Sequence, residues 1–335
     1  MATLSTLNPT LLDLAKVTDP DGKIATIVEI LNQTNEVLDD MTWIEGNLPT
    51  GHRTTIRTGI PQPTWRKLYG GVQPNKSTNV QVTDNTGMLE AYAEVDKVLA
   101  DLNGNTAAFR LTEDRPHIEG MNQVIAQTIF YGNEGTTPEA FTGLSPRYNL
   151  STALNGENII KGGGAGTDNA SIWLVVWGPN TCHGIVPKGS VAGLQMEDKG
   201  QVTVEDASNG SNTGRMEAYR THYRWDAGLT VRDWRYVVRI CNIDKSNLTA
   251  DGSGSSANLP DLMYQALEMI PNLGFGRPAF YMSRNTRSFV RRQCTNATKN
   301  STLTIDNVGG KMLMSFQGVP LRRVDALAAD EALVS

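Results

Sequence analysis

Cysteine is scarce: the 335-residue chain has three, Cys182, Cys241 and Cys294. An odd count at wide spacing gives neither a disulfide framework nor a C-x-x-C metal knuckle. A reducing compartment during folding is the simplest reading. The four histidines, His52, His117, His183 and His222, form no H-E-x-x-H motif and no i, i+4 pair, so no metal site is expected. Surplus positive charge is also missing. The net charge of -5 and pI near 5.5 argue against phosphate binding as a source of affinity, although not against lying beside DNA. No apolar run is long enough to cross a bilayer, so no membrane partner is expected. The start M-A-T-L-S-T-L-N-P lacks the basic and apolar regions of a secretory signal, and the Asn-x-Ser/Thr triplets at Asn169 and Asn247 are read as chance. There is no G-x-S-x-G elbow, no dinucleotide fingerprint and no repeat. The glycines of 162–166 are followed by Thr167-Asp168 where a phosphate loop needs Lys-Ser/Thr, and they read as a mobile surface loop. Cys182 and His183 are adjacent, which in a strand points them to opposite faces and argues against a nucleophile-base pair. No catalytic, cofactor-binding or metal residue is assigned, and an enzyme is not expected.

What the chain does contain is a long helix between two contrasting textures. Ile118, Met121, Ile125 and Ile129 mark one helical face, widened by Val124 and Thr128, and predict a helix over 113–133. Thr112, Glu113 and Asp114 are the expected start, with Pro116 in the first turn, and Gly132 and Asn133 the expected left-handed stop. Before it, residues 1–22 read as an arm broken by Pro9 and Pro20, with Leu11, Leu12 and Leu14 too few to form a core. Residues 23–38 read as an amphipathic helix. Alternation at Met41, Trp43 and Glu45 and at Thr54, Ile56 and Thr58 then predicts a two-stranded ribbon over 41–84, its tip between Gly59 and Asn75. Such a ribbon is marginal alone, so Trp65 and Tyr69, beside Arg66, belong either to this chain's core or to a neighbour's surface. Leu89–Val95 reads as a separate strand and 97–102 as a short helix.

After the long helix, a buried strand is expected at 172–177, a turn region at Gly184–Gly193, and three alternating runs within 215–243 with a turn at Asp226-Ala227-Gly228. A helix at 259–270 is expected, with Leu262, Ala266 and Met269 on one side. A short strand at 279–282 is followed by a helix at 283–295 with Arg284, Arg287 and Arg291 on one face and Val290, Cys294 and Ala297 on the other. Strands at 302–305 and 312–316 and a short acidic tail close the chain.

The order of parts, arm, helix, ribbon, long helix, compact lobe and returning strands, resembles the Hong Kong 97-type (Johnson) fold of tailed-phage major capsid proteins. The texts M-N-Q-V-I-A-Q-T-I-F-Y-G-N at 121–133, F-T-G-L-S-P-R-Y at 141–148, W-G-P-N-T-C-H-G-I-V-P-K-G at 177–189 and F-Q-G-V-P-L-R-R-V-D-A-L at 316–327 are similar to capsid proteins of short-tailed phages. The resemblance implies an α+β subunit: N-terminal arm and helix at 1–40, E-loop ribbon at 41–84, P-domain with spine helix at 85–135, A-domain at 136–300, and returning P-domain strands with the C-terminal tail at 301–335. It further implies self-assembly into hexamers and pentamers of an icosahedral shell enclosing double-stranded DNA, built in the host cytoplasm, with scaffolding, portal and decoration proteins as further partners. Leu11, Leu12, Leu14, Trp43, Trp65, Arg66, Tyr69, Arg284, Arg287 and Arg291 are then interface candidates. Some family members join an E-loop lysine to a neighbour's asparagine; Lys67 and Lys76 lie in that region, but no catalytic glutamate is identified and crosslinking is not expected. The competing readings are a soluble β-rich binding module or tail-associated protein, suggested by 171–243, and an enzyme using Cys182 or His222.

Overall fold

The computed structural model describes residues 32–102, 104–205, 214–252, 254–296, 303–308 and 311–335. The arm with Leu11, Leu12 and Leu14 and most of the expected helix at 23–38 lie outside them. In chain order the elements are α1 (Val37–Asp40), β1 (Trp43–Glu45), β2 (Gly51–Gly59), β3 (Thr78–Asp96), α2 (Lys97–Asp101) and α3 (Thr106–Tyr131). They continue with β4 (Ile159–Lys161), β5 (Asn169–Trp177), β6 (Cys182–Val186), β7 (Gln195–Glu205), β8 (Arg215–Val231) and β9 (Val237–Asp244). The chain finishes with α4 (Leu259–Met269), β10 (Arg277–Met282), α5 (Arg284–Asn296), β11 (Leu303–Val308), β12 (Lys311–Phe316) and β13 (Val319–Arg323). The described end of the expected 23–38 helix is not helical before Val37.

The chain divides into two compact units. The first collects the described residues of 88–125 and 193–226, with 32–34. Its strands run β7-β8-β3. Leu89 and Ala91 pack near Ala93, Met121 and Tyr223, while Val95, Leu99 and Phe109 form a second cluster with Tyr219. Alternate residues of β3 and β8 thus cover one side of α3, as a period of two requires.

The long helix starts seven residues before its expected position. Asn105 caps it through Oδ1 and the Ala108 amide at 3.3 Å. Thr112, Glu113 and Asp114 are therefore interior, and the Thr112 hydroxyl bonds back to the Ala108 carbonyl. Pro116 is interior as well, where it removes the amide that the Thr112 carbonyl would accept. The helix continues through it because tertiary bonds hold the preceding turns. Arg110 reaches Asp198 at 2.6 Å, and Asp114 accepts from Thr221 at 3.4 Å. Burial raises the Asp114 carboxyl above the usual range, and it lifts the neighbouring Tyr223 phenol to about 12. Of the expected face, Met121, Ile125 and Ile129 are buried, but Ile118 and Val124 are exposed.

The second unit holds the last turns of α3, the ribbon and the lobe. Every residue of β5 is buried. It lies between antiparallel partners, β9 on one side and β10 on the other, and a strand covered on both faces reads as the continuous apolar run seen in the sequence. Ile172, Leu174 and Val176 join Val238, Ile240, Phe280 and the helix residues Met263, Ala266 and Val290. On the other side, Trp173 meets Phe130 of α3 and Tyr148. In α4 the buried positions are Leu259, Met263 and Ala266; Met269 is exposed, so the buried face is rotated from the expected one.

Three expected breaks are filled. β3 is a single 19-residue strand through residues 84–88 where two were expected. β6 occupies Gly184–Val186, and the turn begins only at Pro187, with Gly189 at φ +84. Asp226-Ala227-Gly228 lies inside the 17-residue β8. These residues are chosen for close approach: a Cβ on Gly228 would sit 2.9 Å from the Asn85 carbonyl oxygen and 2.8 Å from Ile185 Cγ1. Gly132 is similar. It does not take positive φ, and a Cβ there would meet the Phe141 carbonyl at 2.4 Å. The F-T-G-L loop caps the end of α3 instead, Leu144 N donating to the Ile129 carbonyl and Gly143 N to that of Gly132.

The closing segment is no solvated tail. Val319–Arg323 forms a strand parallel to β10, and Glu331 is buried. Its carboxylate takes bonds from Arg239 at 2.7 Å, from Ser171 and from Tyr131, while Arg239 also donates to the Tyr148 carbonyl at 2.8 Å. Val334 bonds the Asn242 side chain through both backbone groups at 2.9 Å. Removing one partner of a buried pair leaves the other charge unpaired. Glu331→Ala is therefore expected to lower the subunit's unfolding free energy by about 3–5 kcal/mol in denaturant titration. A change below about 1 kcal/mol would show the pair to be dispensable.

Candidate functional site

Residues 51–85 build a two-stranded ribbon. β2 and the start of β3 pair antiparallel from Gly51↔Asn85 to Gly59↔Thr78. Gly51 permits the closest approach, since a Cβ would lie 2.2 Å from the Asp84 carbonyl oxygen. Beyond Thr78 the ribbon carries the tip of 60–77, where Tyr69, at φ +62, closes a turn in which Gly70 N donates to the Lys67 carbonyl at 3.0 Å. The base is fixed firmly. Arg147 of the S-P-R-Y text reaches Asp84 at 2.9 Å and donates to the carbonyls of Thr142, Gly143 and Leu229, each at 3.2 Å. One guanidinium thereby joins ribbon, capping loop and β8.

At the tip the apolar side chains have no cover from their own chain. Trp65 and Tyr69 are fully exposed at 104% and 102% of their reference areas, and Leu68 and Ile60 at 87% and 80%. Among the alternatives open for Trp65 and Tyr69, membership of this chain's core is thus excluded. Arg66 is exposed beside them. Ile60, Leu68 and Val72 were not singled out from the sequence. Their signal was apolar residues in a proline- and glycine-punctuated stretch with no period that could bury them.

The other candidates are placed differently. Trp43 is half-buried and packs on β6, where a Cβ on Gly184 would meet its ring at 2.6 Å. Arg284 is exposed and bonds Asp325 at 2.8 Å. Arg287 is half-buried; desolvation lowers its pKa, opposed by Glu36 and reinforced by Arg323 and Arg322. Arg291 is exposed. The three arginines share α5 but not one environment. Val290 and Cys294 are buried opposite them, as expected, and Ala297 lies outside the described residues. The sequence texts are internal anchors as well. Trp177 donates to Tyr281 OH at 2.7 Å, Tyr281 donates to Asp40 at 2.9 Å, and Arg322 of P-L-R-R grips the same carboxylate at 2.8 and 2.9 Å.

Nothing at Cys182 and His183 resembles a reactive pair. Both are buried, and burial drives the Cys182 thiol far above its usual range. Burial, the nearby His52 ring and Arg232 press His183 down to about 4. Among the described residues no group of three or more His, Cys, Asp or Glu is placed to hold a metal ion, and no helix is long and apolar enough to cross a membrane.

A family model described as major capsid protein GP7 matches residues 19–335. The chain belongs to this family. A chain in the near-atomic structure of bacteriophage epsilon15 is 38% identical, with 100% of each chain covered and a TM-score of 0.78. The bacteriophage JBD30 capsid gives 11% identity over 88% of this chain and 91% of that one, at a TM-score of 0.49. The capsid of a native GTA particle gives 10%, 70% and 99%, at 0.45. No curated protein sequence matches. The fold is the α+β Hong Kong 97-type capsid fold, and the protein is a structural capsid subunit that assembles into an icosahedral virion shell. The binding-module and enzyme readings are set aside by the family.

His183 gives a pH dependence. Its folded pKa, about 4, is below the unfolded value of 6.5, so the unfolded chain binds more protons between these values and stability falls as pH falls. Between pH 7 and 5 the unassembled subunit is expected to lose about 2 kcal/mol through this group, measured by denaturant titration. His183→Asn should flatten that slope; an unaltered slope would place the titration elsewhere.

Proposed function

We propose that the ribbon tip is the E-loop contact by which one subunit is laid on the next, with Trp65, Arg66 and Tyr69 at its centre. The carrying observation is that Trp65 and Tyr69 are fully exposed at the end of a limb anchored at its base by Arg147. Apolar area buried on a neighbour contributes roughly 25 cal/mol per Å². Each contact is modest, and many at once make a shell tight. The arm with Leu11, Leu12 and Leu14 reaches a neighbouring subunit in the same way. Trp43 contributes from β1, beside β6 of the lobe, and Arg284, Arg287 and Arg291 on α5 serve subunit contacts in preference to DNA.

The proposed organisation is an N-terminal arm and helix at 1–40, an E-loop at 41–84, a P-domain at 85–135, an A-domain at 136–300 and returning strands with the tail at 301–335. β7 and the first part of β8 lie inside the 136–300 span, and they form one compact unit with 88–125. Subunits form hexamers and pentamers in the host cytoplasm and enclose double-stranded DNA without reading its sequence. The negative net charge suits a wall along which DNA slides. Portal, scaffolding and decoration proteins complete the particle.

Trp65→Ala combined with Tyr69→Ala, or deletion of residues 1–22, is expected to leave soluble subunits or fragile shells. Negative-stain microscopy and thermal disruption of purified particles read this out. Particles of normal form and heat resistance from both variants would remove ribbon and arm from the account.

A further inference from the structure

The charge of the ribbon is opposite to that of the molecule carrying it. From Gly46 to Thr83 the sequence contains Arg53, Arg57, Arg66, Lys67 and Lys76 and no Asp or Glu. The whole chain carries -5, so with five positive charges in this span the remainder carries -10. All five basic residues are exposed, and among the described residues none makes an ion pair. Arg53 uses its Nε only for the Thr83 hydroxyl, at 3.2 Å. Elsewhere arginines are neutralised within the chain: Arg110 by Asp198, Arg147 by Asp84, Arg220 by Glu94, Arg239 by Glu331 and Arg322 by Asp40. Among the described residues the ribbon's cations have no carboxylate partner, and they are interleaved with exposed apolar residues.

We infer that the ribbon is electrostatically steered, and that its receiving surface is an acidic face on a second copy of this chain. This rests on the reading of the ribbon as an inter-subunit contact and adds the chemistry of its seat. A limb of one sign approaching a body of the other gains rate from long-range attraction, and the aromatic and aliphatic tip then holds through burial. Double-stranded DNA is the weaker occupant: its phosphates would satisfy five cations but would leave Ile60, Trp65, Leu68 and Tyr69 uncovered, because paired bases present no faces for stacking. The partition of roles is definite. Arg53, Arg57, Arg66, Lys67 and Lys76 set how fast and how salt-dependently subunits join, and the apolar tip sets how firmly they stay.

The test uses full-length subunits assembling in vitro, followed by light scattering and sedimentation, as sodium chloride rises from about 0.05 to 0.5 M. The assembly rate of the unaltered chain is expected to fall roughly tenfold or more. Arg57→Gln/Arg66→Gln/Lys67→Gln should assemble slowly at low salt and lose most of that dependence. Trp65→Ala/Leu68→Ala should keep the salt slope and form shells that fall apart sooner. A salt-independent rate for the unaltered chain, or an unchanged slope in the charge variant, overturns the inference and leaves the inter-subunit reading standing. Normal, durable shells from the apolar variant overturn that underlying reading instead. Binding of a duplex DNA fragment that the charge variant loses, with assembly unaffected, assigns the cations to nucleic acid and also overturns the inference. If the charge variant does not fold, the salt dependence of the unaltered chain decides.

Discussion

A two-stranded ribbon has too little width to bury its own apolar side chains, and the remaining architecture follows from that constraint. β2 and the first part of β3 pair well, yet pairing satisfies only backbone groups. At the tip, Trp65, Leu68 and Tyr69 have no covering layer. In a free monomer such a patch is a liability; in a protein that tiles a shell we propose it as a means of association. On the proposed reading the fold has to keep the limb extended until a neighbour arrives, because a tip collapsed onto the subunit's own body could not make that contact.

Extension is secured at the base. Arg147 ties Asp84 to Thr142, Gly143 and Leu229, so the direction in which the ribbon leaves the lobe is set by charge-assisted bonds with little freedom. The lobe behind it is rigid for a different reason. β5 is buried along its whole length, with aromatic packing on one face and aliphatic packing with α4 and α5 on the other. The closing segment then seals this lobe by bringing Glu331 to Arg239. A stiff lobe with a pinned limb suits repeated use of one contact geometry around a closed shell.

Much of this was legible in the residues. Period-two alternation at Thr54, Ile56 and Thr58 located one ribbon strand, but the alternating Met41, Trp43 and Glu45 run into β1, which pairs with β6 of the lobe and not with the ribbon; the apolar run at 172–177 located the central strand. The four-residue spacing of Met121, Ile125 and Ile129 located the long helix. The misreadings share a physical cause. Glycine beside Asp226 and at 132 and 184 was taken for turn or cap chemistry, whereas a missing Cβ there serves close packing against a carbonyl or an indole ring. Pro116 was placed in a first turn because local preference says so; side chains reaching from β7 and β8 override it. Glu331 was read only as part of a short acidic tail, because its partner lies 92 residues away in sequence. Trp65 and Tyr69 were ambiguous between core and interface, since composition cannot tell which surface an aromatic residue meets.

The central claim is that the tip of 60–77 is bare on the free subunit and covered in the shell. Hydrogen exchange followed by mass spectrometry, on unassembled subunits and on intact particles of the same chain, measures this directly. Slow exchange across 60–77 in particles, against fast exchange in subunits, is the result the account requires. Equal and fast exchange in both states would contradict it, because the tip would then remain bare in the shell and something else would hold the subunits together.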